Sequence, residues 1–212
     1  MISEAINFST ALGAARDQGS RPTCLAFTSS DFNQIANSVE EPLSVEYLCH
    51  GLAGHSKDWK PGQGFSLGSA ISALQSHGQP VEASYLYLSP NAANPLGPVP
   101  TGMTPIYTCA ATRRNLSTND VISRVNGGLA VALVVRLTPT FYRPVNGIVK
   151  FSSSYIPDAL HALLAVGLGV HKDSNQTHVL IRNSWGNAWG SNGHAWLPSN
   201  YLDDHLLGSF AL

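Results

Sequence analysis

Apolar residues in the first half of the chain recur at the spacing of an α-helix. One such segment begins at Cys24, with Thr23 before it as a candidate N-cap and the Glu-Pro pair at 41–42 after its end. Its apolar side comprises Leu25, Phe32, Ala36 and Val39. A short helix is predicted over 44–50. The pattern therefore predicts a mainly helical first half, whose first long helix starts at a cysteine.

A second helical pattern follows Ser66, a residue that suits an N-cap. Its apolar positions i, i+3, i+4 and i+7 are Leu67, Ala70, Ile71 and Leu74. Gly78 and Pro80 mark its end, because neither residue continues a helix easily. Residues 1–16 show no clear period, and we expect an irregular segment there.

Apolar runs in the second half are shorter and typical of β-strands. Strands are predicted over 106–111, 129–137, 147–151, 161–168, 178–182 and 194–197. One capped helix is predicted over 117–126, before two consecutive glycines. Because the helices precede the strands, the order of elements predicts an α+β fold.

A proline-rich segment separates the two halves. Residues 89–105 contain five prolines and two glycines, a composition that disfavours both helices and the interior of a sheet. We interpret this segment as a crossing between two lobes of one domain over 1–212. The helical lobe is predicted over about 17–88 and the β lobe over about 106–212.

The composition excludes several classes of protein. Hydrophobic residues make up 43% and charged residues 12%, which favours a compact globular chain over a disordered one. The formal net charge is −1 and no basic run is present, so we expect no nucleic-acid partner. The first residues lack the features of a secretory signal, and the apolar run 129–135 is too short to cross a bilayer. We expect no membrane association, and a protein that is cytoplasmic or delivered from the cytoplasm by a non-Sec route.

The three cysteines, Cys24, Cys49 and Cys109, are odd in number and widely separated. This spacing suits neither a disulfide scaffold nor a zinc site, and the histidines also lack zinc-ligand spacing. We therefore interpret all three as thiols in a reducing compartment and expect no metal or other cofactor. Cys49 and Cys109 have no base nearby in sequence and are predicted to be packed thiols.

Cys24 stands at the predicted start of a helix, where unpaired N–H groups and the helix dipole favour a thiolate. A thiolate at such a position is suited to nucleophilic catalysis. The alternative is a small buried hydrophobic residue, because free cysteine is among the most buried residue types. Only partner residues elsewhere in the chain can separate these two interpretations.

Three segments resemble the motifs of papain-like cysteine peptidases. Gln18 lies six residues before Cys24, His161 begins an apolar strand, and Asn183 is followed by Ser-Trp-Gly. The separation of 137 residues between Cys24 and His161 falls within the papain-type spacing of about 130 to 150. The resemblance extends from about 18 to 201. It implies a two-lobed papain-like fold, with the active-site cleft between a helical lobe and an antiparallel β-barrel-like lobe.

The resemblance implies a role for each matching residue. The thiolate of Cys24 would attack a peptide carbonyl, His161 would protonate the leaving amine, and Asn183 would orient the imidazole. Gln18 and the backbone N–H of Cys24 would donate to the oxyanion, and losing one such donor costs roughly 3 to 4 kcal/mol in other enzymes. Two indole rings, Trp185 and Trp189, would shield the hydrogen bond between His161 and Asn183.

The resemblance also suggests where a substrate binds. Gly64 matches a strand edge that hydrogen-bonds an extended peptide. Equally, Gly62 and Gly64 could simply form a turn before the helix that follows. Phe65 and Leu160, with Ala159, are candidates for a pocket that would favour an apolar side chain.

Several positions depart from the family pattern. Arg21 stands where many members have a disulfide cysteine, Leu25 replaces an aromatic residue, and Leu160 replaces a polar or small one. The chain is most similar to short bacterial-type members without a propeptide, so we expect activity to be restrained by other means, such as a regulatory or inhibitory protein partner.

The sequence thus predicts a thiol-dependent endopeptidase that acts on protein or peptide substrates through an acyl-enzyme. One alternative is an acyltransferase or deamidase, because nucleophiles other than water can resolve an acyl-enzyme. The other is a catalytically weak or inactive binding module on the same fold. Leu25, Leu160 and the missing propeptide motivate the second alternative.

Overall fold

The computed structural model describes residues 1–87, 91, 96–99 and 101–212. Within these ranges the chain forms five α-helices and seven β-strands. The helices are α1 (Cys24–Ala36), α2 (Val45–Gly54), α3 (Leu67–Ser76), α4 (Thr118–Asn126) and α5 (Ser199–His205). The strands are β1 (Ile2–Asn7), β2 (Thr112–Arg114), β3 (Val131–Arg136), β4 (Leu160–His171), β5 (Thr177–Arg182), β6 (His194–Pro198) and β7 (Leu206–Ala211). Short 3₁₀ helices cover Ser9–Leu12, Glu82–Ser84 and Pro139–Tyr142.

The strands form one antiparallel sheet in the order β2-β7-β3-β4-β5-β6, and β1 also pairs with β4. The predicted α+β class is confirmed. Within the described residues the antiparallel sheet of the β lobe does not close into a barrel. Strands β1, β2 and β6 each pair with a single strand of the sheet, and β2 and β6 do not pair with each other.

Both faces of the sheet are buried, because alternate residues of β4 pack into two different core clusters. Ala162, Leu164 and Val166 pack in the core cluster shared with α1, α2 and α3. Leu163 and Ala165 point to the other face, into the cluster shared with α4 and α5. A strand that is buried on both faces reads as a continuous apolar run, without the alternation of a half-exposed strand. This arrangement places α1, which begins at Cys24, directly against β4.

Side-chain caps define the starts of three helices. The Ser66 side chain accepts from the backbone N–H of Ser69 at α3, and Ser117 forms a capping box with Asp120 at α4, as the sequence predicts. Ser44 caps α2, which extends beyond the predicted 44–50. Each such cap contributes about 1 kcal/mol.

The predicted N-cap of α1 is wrong. The Thr23 side chain makes no capping hydrogen bond; its hydroxyl contacts the Tyr87 hydroxyl at 2.9 Å instead. The first N–H groups of α1 therefore have no side-chain acceptor from the cap position. Such open N–H groups favour negative charge at the start of the helix.

Some predicted elements differ from the structure at the edges of the sheet. Residues 1–16, predicted to be irregular, contain β1, a mostly exposed strand whose apolar residues Ile2 and Ile6 are only half-buried. The predicted strand 106–111 is wrong, because Tyr107 pairs only with Gln79 in the loop after α3. The predicted strand 147–151 is also wrong. It contributes isolated bridges at Ile148, while α5 and β7 have no counterpart in the prediction.

The crossing predicted over 89–105 falls partly outside the described residues, which omit 88–90, 92–95 and 100. The boundaries of the two lobes therefore stay a prediction. Across the described ranges, no helix combines the length and the apolar character that crossing a membrane requires.

Candidate active site

Cys24 is the first residue of α1 and keeps part of its surface accessible. Burial raises the pKa of its thiol, whereas the backbone N–H groups of Ala162, Leu25 and Cys24 itself act in the opposite direction. Ala162 belongs to β4 and directly follows His161. The sulfur atom therefore lies where the helix start meets β4, beside the predicted histidine.

His161 and Asn183 form the central hydrogen bond of the site, with 2.6 Å between His161 Nε2 and Asn183 Oδ1. The same oxygen accepts from the backbone N–H of Ser184 at 2.8 Å. Because the backbone N–H can only donate, the atom it contacts must be the amide oxygen. Nε2 of His161 then carries a proton, and Nδ1 remains as the basic nitrogen available to Cys24.

The imidazole of His161 is 4% exposed. Burial lowers its pKa to about 4, although the hydrogen bond to Asn183 acts in the opposite direction. Burial therefore disfavours the charged form of His161 and, equally, of the Cys24 thiol. A proton transferred from Cys24 to His161 creates both charges together, and their attraction offsets the burial penalty on each.

Gln18 is buried and held by four hydrogen bonds, one of which its backbone carbonyl accepts from the Tyr87 hydroxyl at 2.9 Å. Its backbone N–H donates to Ser184 O at 2.9 Å, and its Oε1 accepts from the Ser184 hydroxyl at 2.7 Å. Its Nε2 donates to Arg21 O at 2.8 Å. An amide NH₂ has two hydrogens, and only one of them has an acceptor among the described residues, so one N–H of Gln18 remains for a ligand. Ser184, which fixes the amide, was missed in the sequence analysis.

Aromatic rings cover the imidazole. Trp185 lies over His161 with 4.6 Å between ring centroids, and Phe141 contacts the same ring from the side at 6.1 Å. Trp189 lies behind them, stacked on Phe141 at 5.1 Å and edge-on to Trp185 at 5.8 Å. Of the two predicted shielding residues, Trp185 contacts the imidazole directly and Trp189 supports it. Phe141 was missed, because no motif accompanies it in the sequence.

A buried ion cluster joins α1 to β5. Asp31 lies on α1, seven residues after Cys24, and accepts from Arg182 Nε at 2.8 Å and from Arg16 Nη2 at 2.6 Å. Arg182 also donates to Gly13 O at 2.8 Å. Burial alone would raise the pKa of Asp31, but Arg16 and Arg182 hold it below its ordinary value. Since Arg182 directly precedes Asn183, the cluster fixes the asparagine relative to the helix of the cysteine.

A second buried ion pair supports the segment before Cys24. Arg21 bonds to Glu46 on α2, and its guanidinium lies over the Tyr87 ring at 4.9 Å. Arg21 stands where the resemblance places a disulfide cysteine in many relatives. Here an ion pair and an aromatic ring hold the loop to α2.

The predicted substrate residues lie at the surface around this site. A Cβ atom added to Gly64 would lie 3.7 Å from Pro22 O, an ordinary contact, so Gly64 is close to the loop before Cys24. Phe65 stacks on Trp59 at 5.3 Å. Leu160 is 56% exposed and adjoins His161 in β4. Their role in binding stays a prediction.

The other two cysteines are packed in the protein interior. Cys49 is buried and Cys109 is half-buried. Burial raises the pKa of both thiols, that of Cys109 to about 11. Among the described residues, no group of His, Cys, Asp or Glu could hold a metal ion. Cys24 therefore differs from Cys49 and Cys109 in its position at a helix start beside a histidine.

Comparison with known sequences shows the family to which the chain belongs. The sequence model of one protein family, described as papain family cysteine protease, matches residues 6–203. Cathepsin K of Mus musculus is 50% identical over 40 residues, 19% of this chain and 12% of that protein. An uncharacterized peptidase C1-like protein of Acanthamoeba polyphaga mimivirus is 38% identical over 65 residues, 30% of this chain and 20% of that protein. The chain thus matches only a short part of each curated relative.

Comparison with solved structures supports the fold. Xylellain, a cysteine protease from Xylella fastidiosa, has a TM-score of 0.78 at 16% identity and covers 100% of this chain and 86% of that chain. The bromelain protease from Ananas comosus has a TM-score of 0.71 at 19% identity, and the match covers 95% of this chain and 93% of that chain. Because the family model spans nearly the whole sequence, the chain belongs to the papain family of cysteine proteases.

Proposed function

We propose that this chain is a thiol-dependent endopeptidase that cleaves peptide bonds through an acyl-enzyme on Cys24. The hydrogen bond of 2.6 Å between His161 Nε2 and Asn183 Oδ1 carries the proposal. It fixes the proton on Nε2 and leaves Nδ1 to exchange a proton with the sulfur atom. A buried histidine that was only structural would not need this tautomer beside a cysteine at a helix start.

The first half of the reaction follows from these positions. The thiol proton moves to His161 Nδ1 and the thiolate attacks the carbonyl carbon. The carbonyl oxygen becomes negative and accepts from the free N–H of Gln18 and the backbone N–H of Cys24. The intermediate then collapses: the C–N bond breaks, and the leaving amine takes the proton from His161. The acyl group remains on Cys24 as a thioester.

The second half restores the enzyme. Water enters where the amine has left and gives a proton to His161 Nδ1 as it attacks the thioester. The C–S bond breaks, the carboxylic acid leaves, and the proton returns to the sulfur. Throughout, Asn183 holds the imidazole plane, and Trp185 limits the access of water to their hydrogen bond.

An extended peptide is the substrate form that the surface suits. Neither backbone polar group of Gly64 forms a hydrogen bond within the described part of the chain. These groups are free to pair with a peptide backbone, as a strand edge does. Phe65 and the exposed Leu160 add apolar surface near the site, which favours an apolar side chain close to the cleaved bond.

The test is replacement of Cys24. Cys24→Ala should abolish cleavage of a denatured protein substrate and labelling by a thiol-directed epoxide. Cys109→Ala, which removes a packed thiol outside the site, should retain both. Undiminished cleavage by Cys24→Ala would refute the proposal. Mass spectrometry of the products should show cleaved peptides; an intact substrate with an added or altered group would indicate acyl transfer or deamidation instead.

An inactive binding module is the second candidate, and one observation favours it. Burial raises the pKa of Cys24 and lowers that of His161 to about 4, so each group alone prefers to be neutral. A neutral thiol reacts slowly as a nucleophile. The pH dependence of Cys24 reactivity separates the two candidates, because only the peptidase needs a thiolate near neutral pH.

A further inference from the structure

An open groove of about 510 Å³ adjoins the aromatic cover of His161. Tyr142, Arg143 and Pro144 line one part of the groove, and Trp185 and Ala188 line another. The lining of the groove contains none of the predicted substrate residues Gly64, Phe65 and Leu160. Its position makes it a candidate binding surface for part of the substrate.

Proton transfer decides which part of the substrate reaches this groove. The proposed mechanism requires His161 to protonate the leaving amine, so the chain that follows the cleaved bond must pass beside the imidazole. Trp185 covers that imidazole at 4.6 Å and also lines the groove. The leaving-group side of the substrate therefore extends from the site across Trp185.

The wall of the groove is a pair of stacked rings. Tyr142 is 47% exposed and stacks on Trp185, with 5.3 Å between centroids and 19° between planes. Trp185 is in turn packed against Phe141 and Trp189. This support leaves little rotational freedom to the wall, so the groove is largely formed before a substrate arrives.

Arg143 gives the groove its charge. It is exposed and follows the short helix that ends at Tyr142. Within the described ranges, Arg143 forms no ion pair, and the groove lining contains no carboxylate. A guanidinium is permanently charged and binds carboxylates through paired N–H donors. The group that best matches the charge of this groove is therefore a substrate carboxylate.

We propose that Arg143 is a specificity-determining residue that recruits a carboxylate on the leaving-group side of the cleaved bond. The carboxylate is either the side chain of an acidic residue directly after that bond or the free C-terminus of a short peptide. The proposal rests on the proposed function, because it needs a bond that is cleaved at Cys24.

The test compares peptides that share the sequence before the cleaved bond. In the first pair, the residue directly after the bond is Glu in one peptide and Gln in the other, and both peptides have an amidated C-terminus. In the second pair, both peptides have Gln at that position and end one residue later. One of these two ends in a free carboxylate and the other in an amide. Values of kcat/KM are measured for wild type, Arg143→Gln and Arg113→Gln. Arg113 is an exposed arginine on β2 and provides the matched loss of charge. Titration with the thiol-directed epoxide gives the concentration of active enzyme.

Wild type and Arg113→Gln should prefer the carboxylate in one of the two pairs by about two- to fivefold, which lies in the upper part of the range of exposed ion pairs. Arg143→Gln should lose the preference, and added salt should weaken it in wild type. The pair that shows it identifies the source of the carboxylate. Equal rates within both pairs, or a preference that survives in Arg143→Gln, would overturn the inference and leave the proposed function intact. If no peptide is cleaved at all, the proposed function fails and the inference with it.

Discussion

Single hydrogen bonds set the chemistry of the site. The oxygen of Asn183 accepts from both the Ser184 backbone and His161, and this double contact determines which imidazole nitrogen is basic. Gln18 is fixed in the same manner, with its oxygen on the Ser184 hydroxyl and one hydrogen on Arg21 O. Ser184 thus orients the side chains of both Asn183 and Gln18.

Gln18→Ala should lower kcat about 100-fold with little change in KM, because the lost N–H acts on the oxyanion and not on the bound peptide. Steady-state kinetics on a peptide substrate measures both constants. Ser184→Ala removes the bond to Gln18 Oε1 but keeps the donor, so we expect a smaller fall in kcat. A kcat for Gln18→Ala within threefold of wild type would contradict the role of Gln18.

Some residues of the site could be predicted from the sequence and others could not. That Gln18, Cys24, His161 and Asn183 lie at one site could be predicted, because each belongs to a short motif with its own spacing; their catalytic roles stay a prediction. Phe141 and Tyr142 could not, because they pack on the site from a segment with no periodicity and no motif. Their role depends on tertiary contacts with Trp185 that no local pattern encodes.

Contacts between elements hold the site together. The carboxylate of Asp31 on α1 binds Arg182 at the end of β5 and Arg16 in the N-terminal segment. It is 6% exposed and each arginine has further acceptors. A single buried carboxylate therefore links the helix that carries Cys24 to the strand that leads to Asn183.

Asp31→Asn should reduce the free energy of unfolding at pH 7 by about 3 to 5 kcal/mol, because it leaves two arginines without their buried partner. Denaturation in urea measures this loss. Asp203→Asn, on the exposed surface of α5, should change the stability by less than about 0.5 kcal/mol. Equal effects of the two substitutions would contradict the role of the cluster.

The same pair of variants has a defined pH dependence. Because the folded pKa of Asp31 lies below its ordinary value, the carboxylate stabilises the fold fully above the unfolded pKa of about 3.9. This contribution is lost as the pH falls through the lowered folded pKa. The difference in stability between wild type and Asp31→Asn should therefore persist at pH 5 to 7 and shrink only under stronger acid.

Elements with local signals were the predictable ones. The starts of α3 and α4 follow from Ser66 and Ser117, whose caps act within four residues. By contrast, β1 has only Ile2 and Ile6 as half-buried apolar residues, and its strand conformation depends on pairing with β4. The hydroxyl of Thr23 was expected to cap α1, but its tertiary contact with Tyr87 replaces the local one.

The fold as a whole brings the start of α1 into contact with β4 of the sheet. Helices α1 to α3 pack on one face of the sheet and α4 and α5 on the other. The sequence predicts α1 to α4 from helical periodicity, but it predicts neither α5 nor the packing of helices on both faces of the sheet. It does not predict that the sheet stays open, because closure depends on strand number and tilt and not on any one segment.

The central claim is that Cys24 and His161 exchange a proton, although burial disfavours either charge alone. The rate of alkylation of Cys24 by iodoacetamide, measured from pH 4 to 10 and corrected with Cys24→Ala for the other thiols, tests it most directly. We expect a reactive thiolate at pH values well below the ordinary thiol pKa of about 8.5. In His161→Ala the onset should move above that value, because burial of Cys24 then acts without a countercharge. A wild-type onset at or above pH 8.5 that is unchanged in His161→Ala would show that Cys24 and His161 do not exchange a proton.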